Sequence, residues 1–267
     1  MNRKAFFDAV RPSFGTMSQG QVNGITAILD EAERRGTRRN DLAYDLATAW
    51  HETATTMQPI EERGSRSYFD KYEPGTRIGK MLGNTVKGDG YRYRGRGLPQ
   101  VTGRRNVALV SKFYNVDFLA NPELLLDPRY AVPILFDGME RGWWTGKAES
   151  DYIDDLDESD TEDLREYVNA RRVVNGTDKA AQIAGYAIKF EKALLAAGYP
   201  LKPATQTLAP PPPDIPAPEP VTPLPPDVPL PEPTATPPQS GGVSIWKLLL
   251  LVGIAVGIGA AVIFLRN

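Results

Sequence analysis

Residues 40–53 read Asn-Asp-Leu-Ala-Tyr-Asp-Leu-Ala-Thr-Ala-Trp-His-Glu-Thr, and this stretch sets the expected fold class. Leu42, Leu46, Ala49 and Trp50 recur at helical spacing, so they form the apolar face of a core-facing helix. Asn40 is of a type that caps a helix start, because its side-chain oxygen can accept from an orphan backbone N–H. His51 and Glu52 fall at the far end of the helix, where Glu52 stands beside a core-facing tryptophan.

Working outward, the segments on either side are also helical. Ser18-Gln19-Gly20-Gln21 has the pattern of a capping box, and Ile25, Ile28, Leu29 and Ala32 follow at helical spacing until Gly36 offers a stop. Downstream, the pattern predicts helices from Arg104 to Tyr114, from Pro122 behind an Asn121 cap, and from Pro128 behind Asp127. Pro133 is expected to bend the last of these. A further pair runs through Leu164, Tyr167 and Val168, then through Ile183, Tyr186, Ala187, Phe190 and Leu194 to Gly198. From Arg63 to Val101 the chain is rich in glycine and arginine without clear periodicity, which reads as loops or a short hairpin. The expected fold class is therefore mainly α, with a loop-rich or short β-hairpin centre.

Composition divides the 267 residues. About two-thirds of the 24 prolines lie between Pro203 and Pro238, a stretch without Lys or Arg that cannot build a core. The expected organisation is a globular domain over residues 1–202, a disordered Pro-rich stalk over 203–242 and a C-terminal anchor over 243–267. Within residues 1–202 there are 29 acidic and 29 basic residues, a balance that gives no global argument for nucleic-acid binding. Cysteine is absent and His51 is the only histidine, so thiolate and multi-histidine metal sites are excluded. A serine-based relay would have to be built on His51. Carboxylates are the chemistry left.

Leu248 to Leu265 is an uninterrupted apolar run flanked by Trp246, Lys247 and Arg266. At ~1.5 Å per residue it just spans a hydrocarbon core of ~30 Å, so one transmembrane helix is expected. Arg3, Lys4, Asp8 and Arg11, without a long apolar run, do not read as a secretory signal, so the expectation is a single-pass chain with a C-terminal anchor. One positive charge on each flank leaves the side of the membrane unspecified. Gly253, Gly257 and Ala261 place a small residue at every fourth position, a spacing that suits a homodimer through the tail. An extended stalk of roughly 35 residues, at ~3.1 Å each, could hold the domain on the order of 100 Å from the bilayer.

The chemistry-bearing window is His51-Glu52-Thr53, then Pro59-Ile60-Glu61-Glu62, then Leu82-Gly83-Asn84-Thr85, and finally Gly95-Arg96-Gly97-Leu98-Pro99-Gln100-Val101-Thr102-Gly103-Arg104-Arg105-Asn106. This ordered set resembles the family-19 chitinase and phage endolysin group of lysozyme-like glycoside hydrolases. The likeness runs from about Leu42 to Gly198, and Gly83-Asn84-Thr85 with Gly88-Asp89-Gly90 bring it nearer to the endolysins. By that resemblance Glu52 corresponds to the general acid that protonates the glycosidic oxygen. The apolar face around Trp50 is the expected source of the desolvation that keeps a carboxyl protonated. A second carboxylate must activate water, and Glu62 matches the family position ahead of Glu61, with Glu73 third.

The same resemblance makes Gln100, Thr102, Asn106 and Asn175 sugar-binding residues. Amides and hydroxyls both donate and accept, as sugar hydroxyls require. Read without the resemblance, each is a turn or capping residue. Where plant chitinases carry an arginine beyond the Asn175 position, this sequence has Gln182 and Ile183, a departure that points away from chitin. The resemblance implies a phage or prophage peptidoglycan hydrolase of muramidase type, held to the host inner membrane or a lipid-containing virion, with no metal and no cofactor. Its expected partners are peptidoglycan glycan strands and a lipid bilayer. The alternatives are a chitinase of the same family and a catalytically silent glycan-binding or virion structural module. Tyr91, Arg92, Tyr93, Arg94 and Arg96 alternate aromatic and basic side chains, a pattern known from nucleic-acid stacking that a sugar-binding wall explains equally well; with a charge-neutral domain, no nucleic acid is expected as a partner. Trp143 and Trp144 are candidates for a sugar site or for the core.

Overall fold

The computed structural model describes residues 1–156 and 159–202. The stalk, the transmembrane anchor and the tail-mediated dimer expected of residues 203–267 lie outside the described residues. Among the described residues no helix is long and apolar enough to cross a membrane.

Three helices open the chain: α1 (Arg3–Phe14), α2 (Gln19–Arg35) and α3 (Arg39–Glu52). In α2 the capping box forms as read, with Ser18 Oγ accepting from Gln21 N and the Gln21 side chain returning to Ser18 N, and Gly36 closes the helix in a left-handed conformation. Helix α1 is not anticipated by the sequence reading. Asn2 caps it, and Phe6 and Val10 bury its inner face.

Helix α3 departs from the expectation in two ways. Its N-cap is Arg38, which makes no side-chain capping bond, while Asn40 lies inside the helix, buried, and donates to Asp163 Oδ1 at 3.2 Å. The helix is also enclosed on every side: Ala43, Tyr44, Asp45, Ala47 and Thr48 are buried along with the apolar stripe. Burying each large apolar side chain contributes roughly 1.5–3 kcal/mol. That burial, rather than a cap, holds the helix in place.

The centre is short-element structure. β1 (Ile60–Glu61) pairs antiparallel with β2 (Arg96–Gly97), Ile60 opposite Gly97 and Glu61 opposite Arg96. Between them lie a 3-10 helix (Arg66–Tyr72), α4 (Arg77–Met81) and α5 (Asp89–Arg92). The Gly83–Gly90 motif braces this region. Asp89 accepts from Thr85 N, Val86 N and the Arg104 guanidinium, and Asn84 bridges Tyr72 O to Arg104 N.

Helix α6 (Arg104–Tyr114) has the predicted bounds, as does the start of α7 (Pro128–Glu140), where Asp127 accepts from Arg129 N. Pro122–Leu126 is a 3-10 helix, and Asn121 gives it no side-chain cap. The last pair is α8 (Asp160–Ala170) and α9 (Ala180–Ala196). Helix α9 packs on α1, α3 and α8, so the core gathers around α3 and α9. Ring contacts among Phe14, Trp50 and Phe190 mark that junction.

Two buried acids lie deep in this core. Asp45 of α3 is fully buried with neither oxygen hydrogen-bonded, and Glu149 is 2% exposed with Oε1 in the same condition. Burial pushes both carboxyls well above the usual carboxylate range, and Glu140 and Asp41 push both further.

Candidate active site

Glu52 ends α3, and Thr53 folds the chain back: its hydroxyl donates to Ala49 O and accepts from Met57 N. Met57 is buried against α2 at Gly24, where an added Cβ would stand 1.7 Å from Met57 O. The loop that leads from Glu52 to the paired strands is thus anchored at both ends.

The Glu52 carboxylate meets a buried cation. Arg171, 3% exposed, donates from Nη1 to Glu52 Oε1 at 2.8 Å, and its Nε donates to Asp178 O at 3.0 Å. Glu52 Oε2 makes no hydrogen bond with any described residue, and the side chain is 18% exposed. The neighbouring Trp50 ring packs against Phe14, 4.8 Å between centroids. His51 is half-buried, and burial lowers its proton affinity. Its ring makes no hydrogen bond among the described residues, so no serine relay is built on it.

The acids of the strand region separate by their partners. Glu61 is bound by two guanidinium groups, Arg94 at 2.6 Å and Arg96 at 2.8 Å. Glu73 accepts from Gly88 N at 2.7 Å and thereby holds the loop before α5. Glu62 has neutral partners only: Tyr72 Oη donates to Oε1 at 3.1 Å and Gly95 N to Oε2 at 3.1 Å. Burial raises the Tyr72 phenol, and the Glu62 charge raises it further, so it remains a donor at any ordinary pH. Each Glu62 oxygen keeps a lone pair for a further donor.

The strand pairing puts Gln100 and Thr102 beside Glu62. Gly95, whose N–H binds Glu62, has Gln100 Oε1 and Thr102 Oγ1 so near that a Cβ there would stand 2.7 and 3.2 Å from them. Gln100 is in a left-handed conformation, φ 55°, and its amide donates to Ile60 O and Gly97 O, closing the turn. Thr102 donates to Gln100 O, and Asn106 donates to Thr102 O. These three side chains therefore brace the turn, and each keeps an acceptor oxygen uncommitted. Asn175 is exposed on the turn after Arg171–Val173, tied to it by its backbone N–H to Arg171 O.

Other candidates have structural positions. Tyr93 is buried with its hydroxyl on Leu119 O, Arg92 binds Leu119 O and Ala120 O, and Arg96 is 4% exposed and ion-paired. With Arg94 paired to Glu61, four of the five residues in the alternating stretch are therefore committed within the fold. Trp144 packs on the core at Gly138, whereas Trp143 meets Phe113 edge-on at 4.9 Å. The sequence reading misses Arg171 and Tyr72. Arg171 has one local signal, its place just before Val174-Asn175-Gly176; Tyr72 has none.

Fold and site together define a mainly helical protein with two carboxylates held by contrasting partners. No family model and no curated protein matches the chain. Among solved structures it is similar to a point mutant of chitinase C, at 17% identity and a TM-score of 0.47, covering 74% of this chain and 78% of that one. It is also similar to chitinase C from Streptomyces griseus, at 16% identity and a TM-score of 0.45, covering 76% of this chain and 95% of that one.

Proposed function

We propose that this protein hydrolyses β-1,4 glycosidic bonds of bacterial cell-wall glycan, as a muramidase with Glu52 as general acid and Glu62 as the base that activates water. The observation that carries the reading is the contrast between the acids. Glu62 is held only by a phenol and a backbone N–H, while Glu61 next to it is bound by two arginines.

In the reaction a proton on Glu52 Oε2 passes to the glycosidic oxygen as the bond from that oxygen to the anomeric carbon breaks. Arg171 fixes the carboxyl through Oε1 throughout. Water attacks the anomeric carbon from the opposite face, and its proton goes to Glu62. Solvent then returns both acids to their starting states. No metal enters this scheme, and no group of acidic or histidine side chains suited to a metal ion occurs among the described residues. The apolar tail and proline stalk support a tethered form of the enzyme, working on the cell-wall layer near a membrane.

The test is release of reducing ends from purified peptidoglycan by the full chain beside Glu52→Gln and Glu62→Gln, with circular dichroism to show that all three fold. Release by the wild type alone supports the assignment. Tight wall binding with no new ends from any of them would favour a glycan-binding module instead.

A further inference from the structure

The wall beside Glu62 carries cations that form no ion pair with a described residue. The 3-10 helix Arg66–Tyr72 supplies Tyr72 to Glu62, and of its other rings Tyr68 packs edge-on with Phe69, which in turn meets Tyr91 edge-on. On these rings the cations rest. Lys71 Nζ stands 3.5 Å from the Tyr68 centroid and 4.7 Å from that of Tyr72, and the Arg66 guanidinium stands 5.0 Å from the Tyr91 centroid. Neither Lys71 nor Arg66 forms an ion pair with a described residue. Arg63, exposed on the same loop, forms none either.

Of the acids nearby, Glu61 is paired with Arg94 and Arg96, while Glu73 keeps its charge, its carboxylate accepting from the neutral Gly88 N. Asp70 remains, exposed on the same 3-10 helix. A ring face orients a cation without cancelling its charge, whereas a carboxylate would cancel it. Arg63, Arg66 and Lys71 stand beside the proposed base unpaired with any described residue, and with Arg94 and Arg96 they make five cations against the four carboxylates of Glu61, Glu62, Asp70 and Glu73. A neutral glycan has no use for such a field; a glycan whose sugars bear carboxylates does.

Building on the hydrolase reading, we infer that Arg66 and Lys71 select an anionic glycan by binding carboxylates of the acid- and peptide-bearing substituents on its sugars. They make the site specific for cell-wall glycan over neutral amino-sugar polymers.

The experiment compares intact peptidoglycan with the same material after carbodiimide amidation of its carboxylates, which removes the charges and leaves the glycosidic bonds. Initial rates are measured for the full-length wild type, Lys71→Met with Arg66→Met, and Lys71→Arg with Arg66→Lys. The wild type is expected to favour the intact substrate by about tenfold at low salt, with the preference carried in KM and shrinking as salt rises. The Met double variant should bring the ratio near one, and the charge-retaining pair should restore it. If the Met variant keeps the wild-type ratio, even at a lower overall rate, the inference is overturned and the two side chains are structural. A wild type inert on both materials would instead remove the hydrolase reading, and this inference with it.

Discussion

Arg171 and Glu52, 119 positions apart, meet at 2.8 Å, and the arginine is the more deeply buried of the two. A buried guanidinium without its carboxylate is an uncompensated charge, and a carboxylate without its guanidinium loses its orientation.

Arg171→Met should therefore reduce hydrolysis by at least ~100-fold and lower stability by roughly 3–5 kcal/mol. Arg171→Lys keeps the charge but not the two-direction geometry to Glu52 and Asp178, so it should recover stability better than rate. Denaturant melts beside initial rates make the comparison. Full activity in Arg171→Met would remove the arginine from the site.

Glu61 and Glu62 should behave oppositely when each is changed to glutamine. Glu62→Gln should lower kcat by ~10²–10⁴ with little change in melting. Glu61→Gln leaves Arg96, nearly inaccessible to solvent, without its anion, so its effect should fall on stability, with kcat within a few-fold of wild type. The reverse pattern would hand the base role to Glu61.

The stereochemistry of the product tests the spacing of the acids. A base that activates water across the sugar requires carboxyls roughly 6.5–9.5 Å apart and inverts the anomeric centre. Proton NMR of freshly released ends should show the α-anomer first. Initial β-anomer would mean a covalent intermediate and a different role for Glu62.

Stability should fall as pH rises through neutrality. Burial raises the Glu166 carboxyl to about 7 from 4.5, so between those values the native state holds a proton that the unfolded chain has released. Its stabilising share is complete below 4.5 and is lost as pH passes 7. In Glu166→Gln the drop in unfolding free energy from pH 4.5 to pH 8 should shrink measurably. Asp45 and Glu149 act in the same direction, so Asp45→Asn should flatten the profile further. A wild-type profile that climbs from pH 5 to 8 would contradict all three.

Gly24→Ala should unfold the protein or loosen it by several kcal/mol. The new methyl would meet the Met57 carbonyl, which is backbone and cannot swing aside, and the Glu52-to-Glu62 loop would shift with it. Wild-type melting in this variant would disprove the close approach.

Much of the helical frame is legible in the sequence, because helix periodicity and caps act over a few residues. Ser18 and Gly36 bound α2, and Arg104 and Tyr114 bound α6, where they were read. Where a local signal competes with packing, packing prevails. Asn40 has the chemistry of a cap, yet burial against α8 gives it Asp163 as partner; α1, by contrast, does carry a periodic signal, Phe6, Val10 and Phe14, that the sequence reading passes over. Glu52 and the pair Glu61-Glu62 could be named as candidates through the resemblance of their motif; residue type and spacing alone leave Glu52 a helix-end acid. Which of the pair is bound by arginines could not be read, because neighbouring strand residues point to opposite faces and only the pairing with residues 95–97 shows what each face meets. Arg171 and Tyr72 became visible only in three dimensions. Their partners are chosen by packing and electrostatics between separate segments, and no short-range rule of the chain encodes that choice.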